Sequence, residues 1–102
     1  MKLISYEQFS EHVDSEFTII TPELTPIITL QLQQTIRIAF NQFREQFVLV
    51  FKGPLDPLLS QQTFELEHKQ LGKMQLFMVP VARDAKGIQY EAVFNRLLSG
   101  SN

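Results

Sequence analysis

The chain contains no cysteine, and only four of its 102 residues are glycine. Without cysteine it has no disulfide, no thiolate nucleophile, no iron–sulfur cluster and no thiolate zinc site. Its glycines are dispersed, so the sequence has neither a GxGxxG motif nor a P-loop to hold a nucleotide phosphate. These absences exclude thiol chemistry and the common phosphate-binding loops.

Clustered positive charge and long apolar runs are also missing. Nine Lys and Arg residues are scattered among eleven Asp and Glu residues, for a formal net charge of -2. Non-specific nucleic-acid binding and polybasic membrane anchoring both need clustered cations. No apolar stretch approaches the roughly 20 residues of a membrane helix, and no signal-peptide pattern is evident. We therefore expect no nucleic-acid or membrane partner, and synthesis in the cytoplasm.

Apolar and polar side chains alternate with a period of two from Phe17 to Asn95, in segments separated by turn residues. This pattern predicts a mainly β domain, a small antiparallel barrel or sandwich of about six strands with one short N-terminal helix. The connections are too short for parallel crossovers. The nine phenylalanines suffice for a core. We expect one domain over residues 1–98 and a flexible tail over residues 99–102.

The N-terminal helix is predicted from its cap. Ser5 is the candidate N-cap, and Gln8 stands at the position that completes a capping box. Phe9 recurs at helical spacing with Val13 and faces the sheet. The helix should end near Val13, because Asp14 begins turn chemistry.

Three strand features carry further predictions. Ile28, Leu30, Leu32, Ile36 and Ile38 should share one face, with Gln34 marking a bulge or bend. Residues 47–51 and 76–81 are apolar on both faces and should be central strands covered on both sides. Gly72 should take a positive φ in a hairpin turn. The candidate sheet edges are residues 17–21 and 88–95.

Few residues suggest chemistry. His12 and His68 are the only histidines and lie far apart in sequence, without metal-ligand spacing. His68 is expected to end a strand and to cap or pack locally, with Glu65 and Glu67 on the opposite face. Glu65 and Glu91 could be cross-strand neighbours, as on many solvated sheet faces. We expect no catalytic residue, metal or cofactor.

Two features are candidates for an interface. The loop of residues 53–56, with Gly53, Pro54 and Asp56, could present a rigid contact, although it also has local reasons to turn the chain. Phe40 and Phe43 lie near a turn and could form an interface if exposed. The other phenylalanines considered fall in core-like registers: Phe47, Phe51, Phe64, Phe77 and Phe94.

Several spaced segments carry a family resemblance: FVLVF at 47–51, KGP at 52–54, QTFELEH at 62–68, LG at 71–72, LFMVPV at 76–81 and YEAVFN at 90–95. Together they resemble an uncharacterised bacterial family of domains of about 100 residues. The resemblance implies no assigned activity and no catalytic residues. It implies similarity to products encoded beside phage-tail-collar-like proteins, hence an accessory role in a tail-like particle.

The leading hypothesis for function is a non-enzymatic structural or protein-interaction module. Its partner would be another protein or a second copy, for instance in a homodimer formed through a sheet edge. The alternative is a small-ligand binding module with an apolar pocket in a partly open barrel. An enzyme ranks third, because it would need a cleft that holds His68 beside a carboxylate.

Overall fold

The computed structural model describes residues 4–21 and 26–98. The tail predicted for residues 99–102 lies outside the described residues. One helix and six strands follow in chain order: α1 (Tyr6–Ser10), β1 (Glu16–Ile20), β2 (Pro26–Phe40), β3 (Arg44–Gly53), β4 (Gln62–His68), β5 (Gly72–Asp84) and β6 (Gly87–Leu97).

The six strands form one antiparallel sheet that closes on itself in a ring. Neighbours follow the order β1-β2-β3-β6-β5-β4, and β4 pairs with β1 to complete the ring. The prediction of a mainly β fold, with about six antiparallel strands and one short N-terminal helix, is confirmed. The long strands β2 and β5 each pair with different neighbours along their two halves.

The side chains of β2 change faces halfway along the strand. Its register against β3 shifts between Leu32 and Gln34, so the predicted irregularity at Gln34 is confirmed. Because side chains alternate with a period of two, one extra residue moves all later ones to the other face. Ile36 and Ile38 are therefore exposed, and the prediction that they share the buried face of Leu32 is wrong.

β5 is covered on one face only. Leu76 and Met78 are buried inside the ring, whereas Phe77 between them is 50% exposed. The predictions that residues 76–81 are covered on both faces, and that Phe77 belongs to the core, are wrong. The physical reason is the position of α1, which contacts the middle of β2 and leaves the outer face of β5 uncovered.

β3 is buried on both faces, as predicted. Phe47, Leu49 and Phe51 point into the ring and are fully buried. Val48 lies on the outer face, where the register places it between Ile36 of β2 and Val93 of β6. Neighbouring side chains in the same sheet therefore provide the outer cover for β3.

The predicted sheet edges are largely paired. β1 pairs with β2 on one side and β4 on the other, so the prediction of an edge at residues 17–21 is wrong. β6 pairs with β3 from Ile88 to Leu97, but with β5 only from Gly87 to Ala92. After Ala92, β6 pairs with β3 alone among the described residues.

Aromatic rings fill the interior of the ring. Phe47 stacks on Phe94 with centroids 4.4 Å apart, and Phe17 meets Phe51 edge-on at 5.3 Å. Phe9 of α1 enters at one end, with its centroid 5.6 to 6.4 Å from those of Phe94, Phe47 and Phe17. The helix therefore closes one end of the ring with a buried aromatic side chain.

The local signals around α1 are confirmed. Ser5 Oγ accepts the Gln8 N–H, and Gln8 Oε1 accepts the Ser5 N–H, which completes the capping box. The helix ends at Ser10, earlier than the predicted end near Val13. Asp14 has a φ of 76°, a conformation that Asp tolerates better than most residues, and the chain turns there into β1.

Candidate functional site

His12 and His68, distant in sequence, lie together where β4 meets the start of β1. Their ring centroids are 4.5 Å apart, and His68 is only 4% exposed. His68 Nε2 lies 2.9 Å from Ser15 Oγ, whose hydroxyl donates to the His12 carbonyl oxygen. The β1–β4 pairing creates this cluster, because it places His68 opposite Phe17.

The other nitrogen of His68 caps the turn after β4. His68 Nδ1 accepts the N–H groups of Gln70 and Leu71, at 3.0 and 3.1 Å. His68 therefore ends its strand and caps locally, as predicted. Glu67 is exposed on the opposite side.

This bonding pattern fixes the tautomer of His68. Because Nδ1 accepts two N–H groups, it carries no proton, and the proton of the neutral ring sits on Nε2. Nε2 therefore donates to Ser15 Oγ. A general base would need the reverse arrangement, with an unprotonated Nε2 facing the serine. In this geometry the hydrogen bond between Ser15 and His68 joins the turn before β1 to the end of β4. The serine is not activated as a nucleophile.

Acidification is expected to destabilise the domain through His68. Burial, with a smaller contribution from the charge of His12, lowers the pKa of His68 from its ordinary value of 6.5. The unfolded chain therefore binds more protons below about pH 6.5. The contribution of neutral His68 to stability is complete above that pH and is lost as pH falls through the lowered pKa. Urea unfolding across this range measures the slope, and His68→Asn should flatten it. An equal slope in His68→Asn would contradict this assignment.

The carboxylates considered as a pair are separated by the strand order. Glu65 pairs with Gln75 of β5 and with Ile20 of β1. Glu91 lies on β6, opposite Val50 and Val79. β5 stands between the two strands, so the prediction that Glu65 and Glu91 could be cross-strand neighbours is wrong.

A second polar cluster fastens α1 to the ring. Arg37 Nη2 donates to Glu7 Oε2 at 2.7 Å and to Glu45 Oε2 at 2.9 Å. Its guanidinium carbon lies 4.3 Å from the ring centroids of both Tyr6 and Phe40. The hydrogen bond from Arg37 lowers the pKa of Glu7 and keeps that carboxylate charged. This cluster is a structural clamp, and sequence reasoning missed it because its members come from three elements.

Five side chains make up an outer apolar face, defined as Ile36, Ile38, Val48, Phe77 and Val93. Their exposed fractions are 40, 59, 9, 50 and 63%, in that order. Ile36, Val48 and Val93 are directly opposed across β2, β3 and β6. Phe77 precedes Met78, which pairs with Ala92, the residue before Val93. The bulge in β2 and the uncovered face of β5 together produce this surface.

The two interface candidates from the sequence differ in environment. Phe40 and Phe43 are both exposed, and Phe40 also stacks against Arg37. Gly53 is buried, and a Cβ there would lie 2.6 Å from Leu30 Cδ2, so close packing accounts for this glycine. Pro54 and Asp56 of the same loop are exposed. Of the two candidates, the phenylalanine pair offers the more apolar surface.

Two larger grooves lie on the surface of the molecule. One groove of about 730 Å³ beside the histidine cluster is lined by residues that include Ser15, Thr18 and Glu67. Another, of about 490 Å³, is lined by residues that include Leu59 and Phe64. The ring interior is filled by the buried side chains of the core.

Two absences concern the described residues, 4–21 and 26–98. No group of three or more His, Asp or Glu side chains is arranged to hold a metal ion there. No helix combines the length and apolar character needed for a membrane span.

The geometry defines a closed antiparallel ring with an end-capping helix and an outer apolar face. A family model described as a domain of unknown function, DUF6916, matches residues 4–94. The chain therefore belongs to that family. No curated protein and no solved structure matches it.

Proposed function

We propose that this domain is a non-enzymatic protein-interaction module that docks another protein on the outer apolar face. The observation that carries the proposal is the unbroken row of Ile36, Val48 and Val93 across three strands. Contiguous exposed apolar surface on a small domain typically marks an interaction site. The interior, by contrast, is already occupied by its own side chains.

The composition of the face supports a protein as the occupant. Its five side chains carry no charge, and the centres of protein interfaces are depleted of charged residues. The neighbouring row contributes Gln34, Val50 and Val79, with Glu91 as its single charge. An apolar centre with polar groups beside it is the usual anatomy of a protein interface.

The biological setting that we propose is an accessory role in a phage-tail-like assembly. The segments quoted from the sequence support it through their resemblance to products encoded beside phage-tail-collar-like proteins. Modules of such particles function by contact with neighbouring proteins. A small domain with one apolar docking face fits that role.

A charge placed in the face tests the proposal. Ile36→Glu puts a carboxylate beside Val48, where partner binding would bury it unpaired. We expect at least about a tenfold loss of partner binding, which corresponds to about 1.4 kcal/mol or more. The measurement is quantitative co-purification from the native host, followed by titration of the recovered protein against the variant. Thr29→Glu, at the exposed far end of the same strand, is the matched control.

Equal binding by the Ile36→Glu and Thr29→Glu variants, with unfolding curves like that of the wild type, would overturn the proposal. The small-ligand alternative stays a prediction, and the filled interior gives it no support. If a small molecule rather than a protein co-purified and raised the unfolding temperature, that alternative would replace the present one.

A further inference from the structure

The last part of β6 leaves one edge of the sheet open. β5 pairs with β6 up to the Met78–Ala92 pair and then follows β4. From Val93 to Leu97, β6 keeps only its β3 neighbour among the residues that the structure describes. The side chains of Val93 and Leu97 on this stretch are both strongly exposed.

The backbone groups on this edge have a defined direction. Leu98 donates its N–H to the Phe43 carbonyl at 2.8 Å, so that N–H points towards the β3 side. N–H groups alternate along a strand. The Val93 N–H therefore faces the Phe77 carbonyl at the end of the β5 ladder, and those of Asn95 and Leu97 point away from β3, towards the open side. An edge that presents free donors and acceptors in this way is a template for another strand.

We infer that the edge from Val93 to Leu97 pairs antiparallel with the same edge of a second copy of this chain. The inference deepens the proposed function, on which it rests, by naming one partner of the module. A two-fold axis between two copies of one strand must pair residues whose backbone groups all point towards the partner strand, or all away from it. The register centred on Asn95, whose N–H points outwards, puts Val93 opposite Leu97 of the second copy.

The side chains favour this self-pairing. On the outer side, the register makes two Val–Leu pairs around a central Asn–Asn pair. On the inner side, it places Arg96 opposite Phe94 of the second copy and keeps the two Arg96 residues apart. The Arg96 guanidinium already lies 4.9 Å from the Phe94 ring centroid within one chain. Apolar cross-strand pairs and Arg–aromatic contacts both stabilise strand pairing.

Another free edge, on β5, is less suited to pairing with a second copy. β5 has an open side from Lys73 to Phe77, and Lys73 at its exposed start is a charge typical of protected edges. The only charged residue in the free stretch of β6 is Arg96, whose side chain is 19% exposed and turned towards Glu45. The β6 edge is therefore the less protected of the two.

The absence of cysteine provides a direct test. Asn95→Cys creates a chain with one thiol, placed opposite its own copy in the proposed register. The expected Cα separation in such a pair, about 5.5 Å, suits a disulfide. Under mild oxidation we expect most of this variant to become a disulfide-linked dimer. Glu67→Cys, at an exposed position paired with β1 on one side and β5 on the other, should stay largely monomeric. Equal cross-linking of the two variants would overturn the inference.

Light scattering gives the second measurement. The wild-type chain should approach twice the mass of one chain as its concentration rises. Asn95→Pro removes only an outward-facing N–H and should stay monomeric, while Asn95→Ala should still dimerise. Ile36→Glu lies on β2, away from the edge, and should dimerise although it loses partner docking. A wild-type chain that stays monomeric at high concentration would overturn the dimer and leave the docking proposal to its own test.

Discussion

Phe9→Ala is expected to lower the free energy of unfolding by about 3–5 kcal/mol. Phe9 is 1% exposed and contacts aromatic rings from three strands. Removing it leaves a cavity at the end of the ring and releases the short α1. A helix of five residues has no stability of its own in water, so its remaining contacts weaken together. Urea unfolding at neutral pH measures the change.

Phe43→Ala is the matched control for this measurement. It removes the same number of atoms from a side chain that is 58% exposed in a turn. We expect a loss of less than about 1 kcal/mol, as for most exposed sites. If the Phe9 and Phe43 variants lost equal stability, Phe9 would not stabilise the domain by closing the end of the ring. Phe9→Leu should fall between the two.

His68→Leu is expected to cost about 2–4 kcal/mol. The change leaves the N–H groups of Gln70 and Leu71 without their acceptor and removes the contact with Ser15. Each buried unsatisfied donor costs about 1–3 kcal/mol, and neighbouring losses are not additive. Hydrogen exchange should also show faster exchange at Gln70 and Leu71.

His68→Asn separates hydrogen bonding from burial. The Asn side-chain oxygen can accept the same turn N–H groups, and the variant should recover about half of the stability lost in His68→Leu. The His68→Asn variant still lacks the imidazole ring, whose centroid lies 4.5 Å from that of the Phe17 ring. If Asn and Leu at this position were equally destabilising, the turn cap would contribute nothing measurable and His68 would act by packing alone.

Features set by neighbouring residues could be predicted from the sequence. The Ser5–Gln8 capping box depends on residues three apart, and it forms as predicted. Gly72 has the predicted positive φ of 85°, with open space where a Cβ would be, so its backbone conformation alone favours glycine. The antiparallel pairing also follows from local information, because the short connections permit no other arrangement.

Features set by strand order could not be predicted in the same way. The alternation places Ile36 and Ile38 with Leu32, and only the register against β3 shows that the bulge reverses them. Phe77 looks like a core residue because its neighbours on both sides are apolar. Whether a second layer covers it depends on where α1 docks, which no local pattern records.

The histidine cluster illustrates the same limit. His12 follows the helix and His68 ends β4, and nothing in their spacing joins them. Only the pairing of β1 with β4 could have placed the two histidines together, because it brings the turn before β1 next to the end of β4. The outer apolar face likewise requires the strand order, because its members come from four strands.

Closure of the ring by β1 and β4 has a consequence for the kinetics of folding. The ladder from Phe17–His68 to Ile20–Glu65 joins the first strand of the chain to the fourth. β2 can pair with β3, and β4 with β5, before β1 reaches β4. The ring is closed only when β1 and β4 have paired. Such non-local pairing places folding in the millisecond-to-second range typical of all-β domains. Until β1 and β4 pair, both strands expose unpaired edges, and Ser15 and His68 are not yet in contact.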